Sequence, residues 1–263
     1  MEYFPQMWSG CIAQYPLRKE LRTRTAQTEL ADGSAVKWPD SQAGEVHWSF
    51  LARQLDAGEK SAIENLFRTS EGSLKTFTFL DPLANLLRWS EELSETVWHR
   101  DALVSLAAGV SDPVGGTSAT SVVNAGQAEQ ELGQTIALPA WFGYCFSFQA
   151  RSASGTRLRV QRRSGTTIQE ASLAVAGEWA RCQSAGSIGT LDESMTFSII
   201  LAPNSQVDIY GLQVEAGPGA SSYMKTSDRS GTYPETRFEH DYLDCVASGP
   251  GEFDIRIELA SRL

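Results

Sequence analysis

Residues 253–259 alternate without a break: Phe253, Ile255, Ile257 and Leu259 are apolar, while Asp254, Arg256 and Glu258 between them are charged. A period of two over this length describes a strand with one buried face, and such a strand needs a sheet to pair with. Its charged character matches the first third of the chain rather than the Ser/Thr/Gly-rich middle. Near the start of that middle, the strand-like run 74–80 stops at Asp81-Pro82 and a new apolar run, 83–87, begins at once. Asp-Pro is a turn signal that a continuing strand does not carry. The expectation is an outer domain, residues 1–83 plus 228–263, interrupted by an inserted domain over 84–227.

The outer part reads as a small α+β domain. Asp32-Gly33 is a turn between 21–30 and 36–38, and Val46, Trp48 and Phe50 alternate against polar neighbours in a strand over 45–50. His47 falls on the opposite side, which predicts a solvated position. Asp56 followed by Glu59 has the spacing of a capping box. Ala62, Ile63, Leu66 and Phe67 then form one helical stripe that Gly72 ends. The order is β-β-α-β, with the helix expected on an antiparallel sheet.

The middle part changes period. Residues 90–98 fit a short helical turn with Leu93, Val97 and Trp98 facing inward. Strands are predicted over 141–150, 157–162, 167–175, 179–187, 195–202 and 206–215. Turn signals at 154–155, 164–165, 176–177 and 203–204 separate them. Regularly spaced short strands of this kind build a β-sandwich or jelly roll, and 216–234 reads as the exit linker. The fold class is therefore mainly β.

Net charge is −10, and none of the three segments carries more Lys and Arg than Asp and Glu, which argues against a nucleic-acid surface. No apolar run approaches a membrane span, and the N-terminus has neither the basic nor the apolar region of a signal peptide. Cys11, Cys145, Cys182 and Cys245 have no paired spacing, which excludes zinc ribbons and CxxC chemistry and predicts buried free thiols. No nucleophile elbow, HExxH, phosphate loop or dinucleotide fingerprint is present, and the three histidines are isolated in sequence. Catalysis, cofactors and metals are not expected. A glycosidase remains the enzyme alternative only if folding brings two carboxylates together.

Aromatic side chains of the middle part are the better candidates. Trp98, Trp141, Tyr144 and Tyr210 lie at or near predicted strand ends, where rings can stack on sugar faces, with Gln213 or Glu215 as hydroxyl partners. Core packing is the competing role for each ring, and Trp179 is expected to anchor the sandwich. Arg157, Arg159 and Gln161 share one strand face opposite Leu158 and Val160. That face is either solvated surface or a cationic strip for an acidic polysaccharide.

Five blocks carry a resemblance: 85–93 followed by Trp98, then 112–116, 177–181, 208–217 and 222–226. Together, and above all in the order Gln213, Glu215, Gly217, Tyr223, Thr226, they resemble the carbohydrate-binding jelly-roll modules common in bacteriophage tail proteins. The outer part, through 71–79 and the Asp81-Pro82 turn, is similar to phage distal tail (baseplate hub) proteins, the weaker of the two likenesses. The resemblance implies a structural protein of the virion tail tip, assembled in the host cytoplasm and usually forming a hexameric ring between the tail tube protein and the tail hub. Its inserted module would project outward toward host cell-surface polysaccharide. Jelly rolls of this kind often hold a structural calcium ion, but the sequence assigns it no ligands. The alternative is a standalone glycan-binding protein or tail-fibre adaptor that forms no ring.

Overall fold

The computed structural model describes residues 2–263, with backbone alone at Ser41 and Gln42. The described residues form two compact units: residues 2–8, 12–79 and 233–263 make the first, and 9–11 with 80–232 the second. The expected boundaries were 83/84 and 227/228.

In the first unit, β1 (Leu17–Glu29) and β2 (Ala35–Leu55) form a long antiparallel ribbon closed at Asp32-Gly33. The sequence suggested separate extended segments over 36–38 and 45–50. Instead β2 runs through both, and a register shift between Arg22 and Arg24 absorbs the irregularity. Helix α1 (Ala57–Thr69) carries the full capping box, with Asp56 accepting from the Glu59 N–H and Glu59 reaching back to the Asp56 N–H. After β3 (Phe77–Leu80) the chain leaves for the second unit.

The second unit is an antiparallel sandwich of two five-stranded sheets. In chain order its strands are β4 (Trp98–Arg100), β5 (Val104–Val110), β6 (Ala119–Asn124), β7 (Gln130–Ile136), β8 (Tyr144–Arg151), β9 (Thr156–Ser164), β10 (Thr167–Val175), β11 (Ala180–Gly186), β12 (Met195–Leu201) and β13 (Ser205–Glu215). One sheet has the order β10-β9-β12-β7-β4 and the other β11-β8-β13-β6-β5. Leu132, Phe146, Phe148, Leu158, Val160, Phe197, Ile199 and Val207 fill the space between them, all at most 1% exposed. Arg162 also points into this layer and clamps the sheets, its Nη1 donating 2.8 Å to the Ser184 carbonyl.

The chain returns through β14 (Thr232–Phe238), β15 (Cys245–Gly249) and β16 (Glu252–Arg262). The alternating strand finds its partner where its pattern required: β16 pairs antiparallel with β2, Ile257 opposite Phe50 and Leu259 opposite Trp48. Ile255, Ile257 and Leu259 are fully buried, under the helix face that presents Ile63 and Leu66.

Three expectations need correction. Residues 90–98 form successive turns rather than a helix, closed by the Glu95 and Trp98 N–H groups on the Glu92 and Glu95 carbonyls. Trp179 is not a core anchor; it is half-buried, and the Arg151 guanidinium lies 4.8 Å from its ring centre. All four cysteines are free, but Cys11 and Cys245 are only half-buried, while burial pushes the Cys145 thiol up to about 11.

The 112–116 block is a closed turn. Asp112 Oδ1 accepts from the Val114 and Gly116 N–H groups at 3.0 and 2.8 Å, and Oδ2 from Ser118 at 3.0 Å. A Cβ on Gly116 would sit 2.6 Å from Oδ2, so the loop needs glycine there. The Ser118 N–H, helped by those of Gly116 and Val114 against desolvation, holds the carboxyl below its usual 3.8. A depressed carboxylate contributes stability that is present above 3.8 and lost as pH falls through the folded value. Asp112→Asn is therefore expected to lower the urea midpoint by a constant amount at neutral pH. The gap from wild type closes in melts taken progressively below pH 3.8.

Candidate functional site

The sheet β10-β9-β12-β7-β4 presents a polar face to solvent, and its register lines up the residues. One row across it is His99, Gly133, Ser198, Gln161 and Glu170. The next is Glu131, Ile200, Arg159 and Ser172. The apolar partners Leu132, Ile199, Leu158 and Val160 point the other way, so strand alternation alone sorts core from face.

Glu131 is the centre of this face. Its Oε1 accepts from Ser198 Oγ at 2.5 Å, meets His99 Nε2 at 2.9 Å and accepts from Arg163 Nη2 at 3.2 Å. Burial raises its pKa, but Ser198, His99 and Arg163 outweigh that and hold the carboxyl below its usual range, so it is charged at neutral pH. Among the described residues no hydrogen bond goes to its second oxygen, Oε2. The result is a fixed carboxylate with an unused acceptor.

Gly133 makes this convergence possible. A Cβ there would lie 2.5 Å from Ser198 Oγ and 2.9 Å from His99 Cε1, in the space those two side chains use. Alongside, Gln161 donates to Glu170 Oε1 at 2.7 Å, which orients the amide. The face thus mixes anchored acceptors, Glu131 and Gln161, with the guanidinium of Arg163.

The sequence candidates scatter. Trp98 lies in β4 but faces the core at 5% exposure, its Nε1 donating to the Trp89 carbonyl at 2.9 Å. Tyr144 is fully buried against Phe197 and its hydroxyl donates to the Pro139 carbonyl. Neither ring reaches a ligand, so both are removed as stacking platforms; alternation put their side chains inward. Tyr210 is half-buried on the other sheet, its ring 5.3 Å from Tyr223. Trp141 is 39% exposed in a loop tied down by the Ala140 N–H on the Asp192 carbonyl. Asp192 in turn accepts from Ser164 at the end of β9.

Arg157 is exposed and Arg159 lies on the face, as their strand position predicted. The cationic strip does not form, because Arg159 is held between Glu129 and Glu170, which neutralise it. Gln213 and Glu215 are also withdrawn, at 0% and 7% exposure. Gln213 Oε1 accepts from the Met224 N–H at 2.7 Å and Glu215 accepts from Ser221, so the motif that looked most specific is a latch for the exit segment.

Sequence reasoning missed Glu131, His99, Ser198 and Arg163. Their only signal is register, since Glu131 and Ser198 are 67 positions apart.

No protein-family model matches the chain, and no curated protein matches it either. Solved structures do. The TmCBM61 module in complex with β-1,4-galactotriose aligns at 17% identity over 49% of this chain and 97% of its own, with a TM-score of 0.39. The CBM22-1 xylan-binding domain of Xyn10C from Paenibacillus barcinonensis aligns at 16% identity over 52% and 96%, with a TM-score of 0.42. The enzymatically active domain of tailspike protein 4 from bacteriophage CBA120 aligns at 12% identity over 52% of this chain but 22% of its own, with a TM-score of 0.42. Carbohydrate-binding modules and a tailspike domain are what this chain is similar to in fold.

Proposed function

We propose that the sandwich is a non-catalytic glycan-binding module whose ligand lies across the β9-β12-β7 face. The observation that carries this reading is Glu131, fixed through one oxygen by three side chains and open at the other. A sugar hydroxyl both donates and accepts, so it is matched by a face that offers both roles in fixed geometry. Ser198 supports binding over hydrolysis: its hydroxyl is spent on Glu131 Oε1, the same oxygen that His99 meets, rather than on the His99 imidazole that would activate a nucleophile. The test is a glycan array of bacterial surface polysaccharides probed with the full chain. Saturable binding to a defined oligosaccharide supports the reading; an array with no hit contradicts it.

For the chain as a whole we read a phage tail-tip component, with the first unit as the part that assembles into a ring beside tube and hub proteins in the virion. The favouring observation is the β1–β2 ribbon, where Leu21 is 68% exposed and Leu30, Val36 and Trp38 each 45%. Apolar groups along an exposed ribbon suit burial against a second copy. Mass photometry is expected to show a ring-sized oligomer that Leu21→Lys with Trp38→Glu disperses. A purely monomeric wild type at micromolar concentration would contradict ring formation by the chain alone.

A further inference from the structure

The first unit holds a cluster of ligating side chains that the glycan reading does not use. It lies on the face of the sheet opposite α1, where β14 ends beside β16. Phe238 pairs with Leu259, and the Glu239 N–H donates to the Glu258 carbonyl at 3.0 Å. This brings Glu239, His240 and Glu258 together, each offering one ligand atom, with those atoms all within 4.8 Å of one another. His240 Nε2 is already 2.8 Å from Glu258 Oε2. His47, expected in solvent, is covered instead: only 9% exposed, it bonds Glu239 Oε1 through Nδ1 and lies 3.2 Å from Glu45 through Nε2.

We propose that Glu239, His240 and Glu258 bind a divalent transition-metal ion of the Zn²⁺ class. The donors are one imidazole nitrogen and two carboxylate oxygens, a mixed N/O set that suits zinc and its neighbours; Ca²⁺ takes six to eight oxygens. Donor atoms on a tetrahedral ion sit roughly 3.3 Å apart given bonds of about 2.0–2.1 Å, so the cluster tightens around the ion with side-chain adjustment alone. The ion takes the position of the Nε2 proton in the His240–Glu258 bridge, and the imidazole keeps its proton on Nδ1. It also relieves the repulsion between two carboxylates held on adjacent strands. His47 is a positioning residue, orienting Glu239 from behind as outer-shell imidazole–carboxylate contacts do. Of the nearby cations, Arg18 is engaged by Glu20, and Arg256 borders the neighbouring cavity with His240 and Glu258. Three protein ligands leave a fourth position for water.

The test is isothermal titration of the chelator-treated full chain with Zn²⁺, and separately with Ca²⁺. One Zn²⁺ per chain is expected, with Ca²⁺ far weaker. His240→Ala and the near-isosteric Glu258→Gln should each weaken Zn²⁺ binding by at least about tenfold. Metal-free melts verify that both variants fold. Glu178→Gln, which alters an exposed carboxylate outside both the cluster and the glycan face, should leave binding unchanged. Absence of saturable Zn²⁺ binding, binding by either cluster variant as tight as wild type, or Ca²⁺ binding as tight as Zn²⁺ would overturn the proposal.

Discussion

Glu131→Ala is expected to abolish glycan-array binding while leaving the sandwich folded. The side chain is 20% exposed and sits on the sheet's outer face beside Ile200, so its removal opens no cavity between the sheets. What disappears is the acceptor on which Ser198, His99 and Arg163 converge. Each then turns to water, and the oxygen offered to ligand is gone. Hydrogen bonds to a charged group contribute about 1.5–3 kcal/mol, so losing one or two to ligand weakens binding by roughly one to two orders of magnitude or more. Glu131→Gln separates charge from shape. It keeps one acceptor oxygen but not the charge that holds His99 and Arg163, and an intermediate loss is expected. Unchanged array signals for both variants, with melts equal to wild type, would remove this face as the binding site.

Asn85→Ala should be the most damaging single change in the second unit. Asn85 is fully buried and uses all its capacity: Oδ1 accepts from the Leu87 and Val214 N–H groups at 3.0 Å each, and Nδ2 donates to the Leu212 and Met224 carbonyls at 2.8 and 3.2 Å. Alanine leaves two donors and two acceptors of the main chain unpaired inside the protein. At about 1 kcal/mol for each lost bond, and more for groups stranded without water, the expected loss is ~3–5 kcal/mol. For a unit of this size that is roughly a 10 °C fall in melting temperature. Segment 221–227 should also loosen, because the Met224 carbonyl loses Asn85 while Thr226 and Ser90 remain tied to each other. Proteolysis inside this segment before global unfolding is the accompanying readout. A fall under about 1 kcal/mol would mean that the latch is held elsewhere.

These two residues show what the sequence made legible. Local rules were readable: the Asp56–Glu59 cap, the strict alternation of 253–259, and the glycine turns between later strands. Each depends on neighbours within a few positions. β4 to β7 were not anticipated as strands, because segments such as Val104–Val110 are rich in Ala and Gly and alternate weakly. Aromatic content located the sandwich but could not assign faces. Trp98 and His99 are adjacent in β4, yet one is core and the other site, and a shift of one residue in register exchanges them. The functional cluster depends on β7, β9 and β12 being neighbours, which is a property of topology and not of any local pattern. Asn85 and Gln213 belonged to the most recognisable blocks, but as structural latches rather than ligand contacts.

The most direct measurement is a crystal structure of the chain with the oligosaccharide selected on the array. Density for sugar hydroxyls is expected within hydrogen-bonding distance of Glu131 Oε2, Gln161 and Arg163, across β7, β12 and β9. Sugar bound instead on the β8–β13 sheet, or only against the exposed Trp141 ring, would contradict the account.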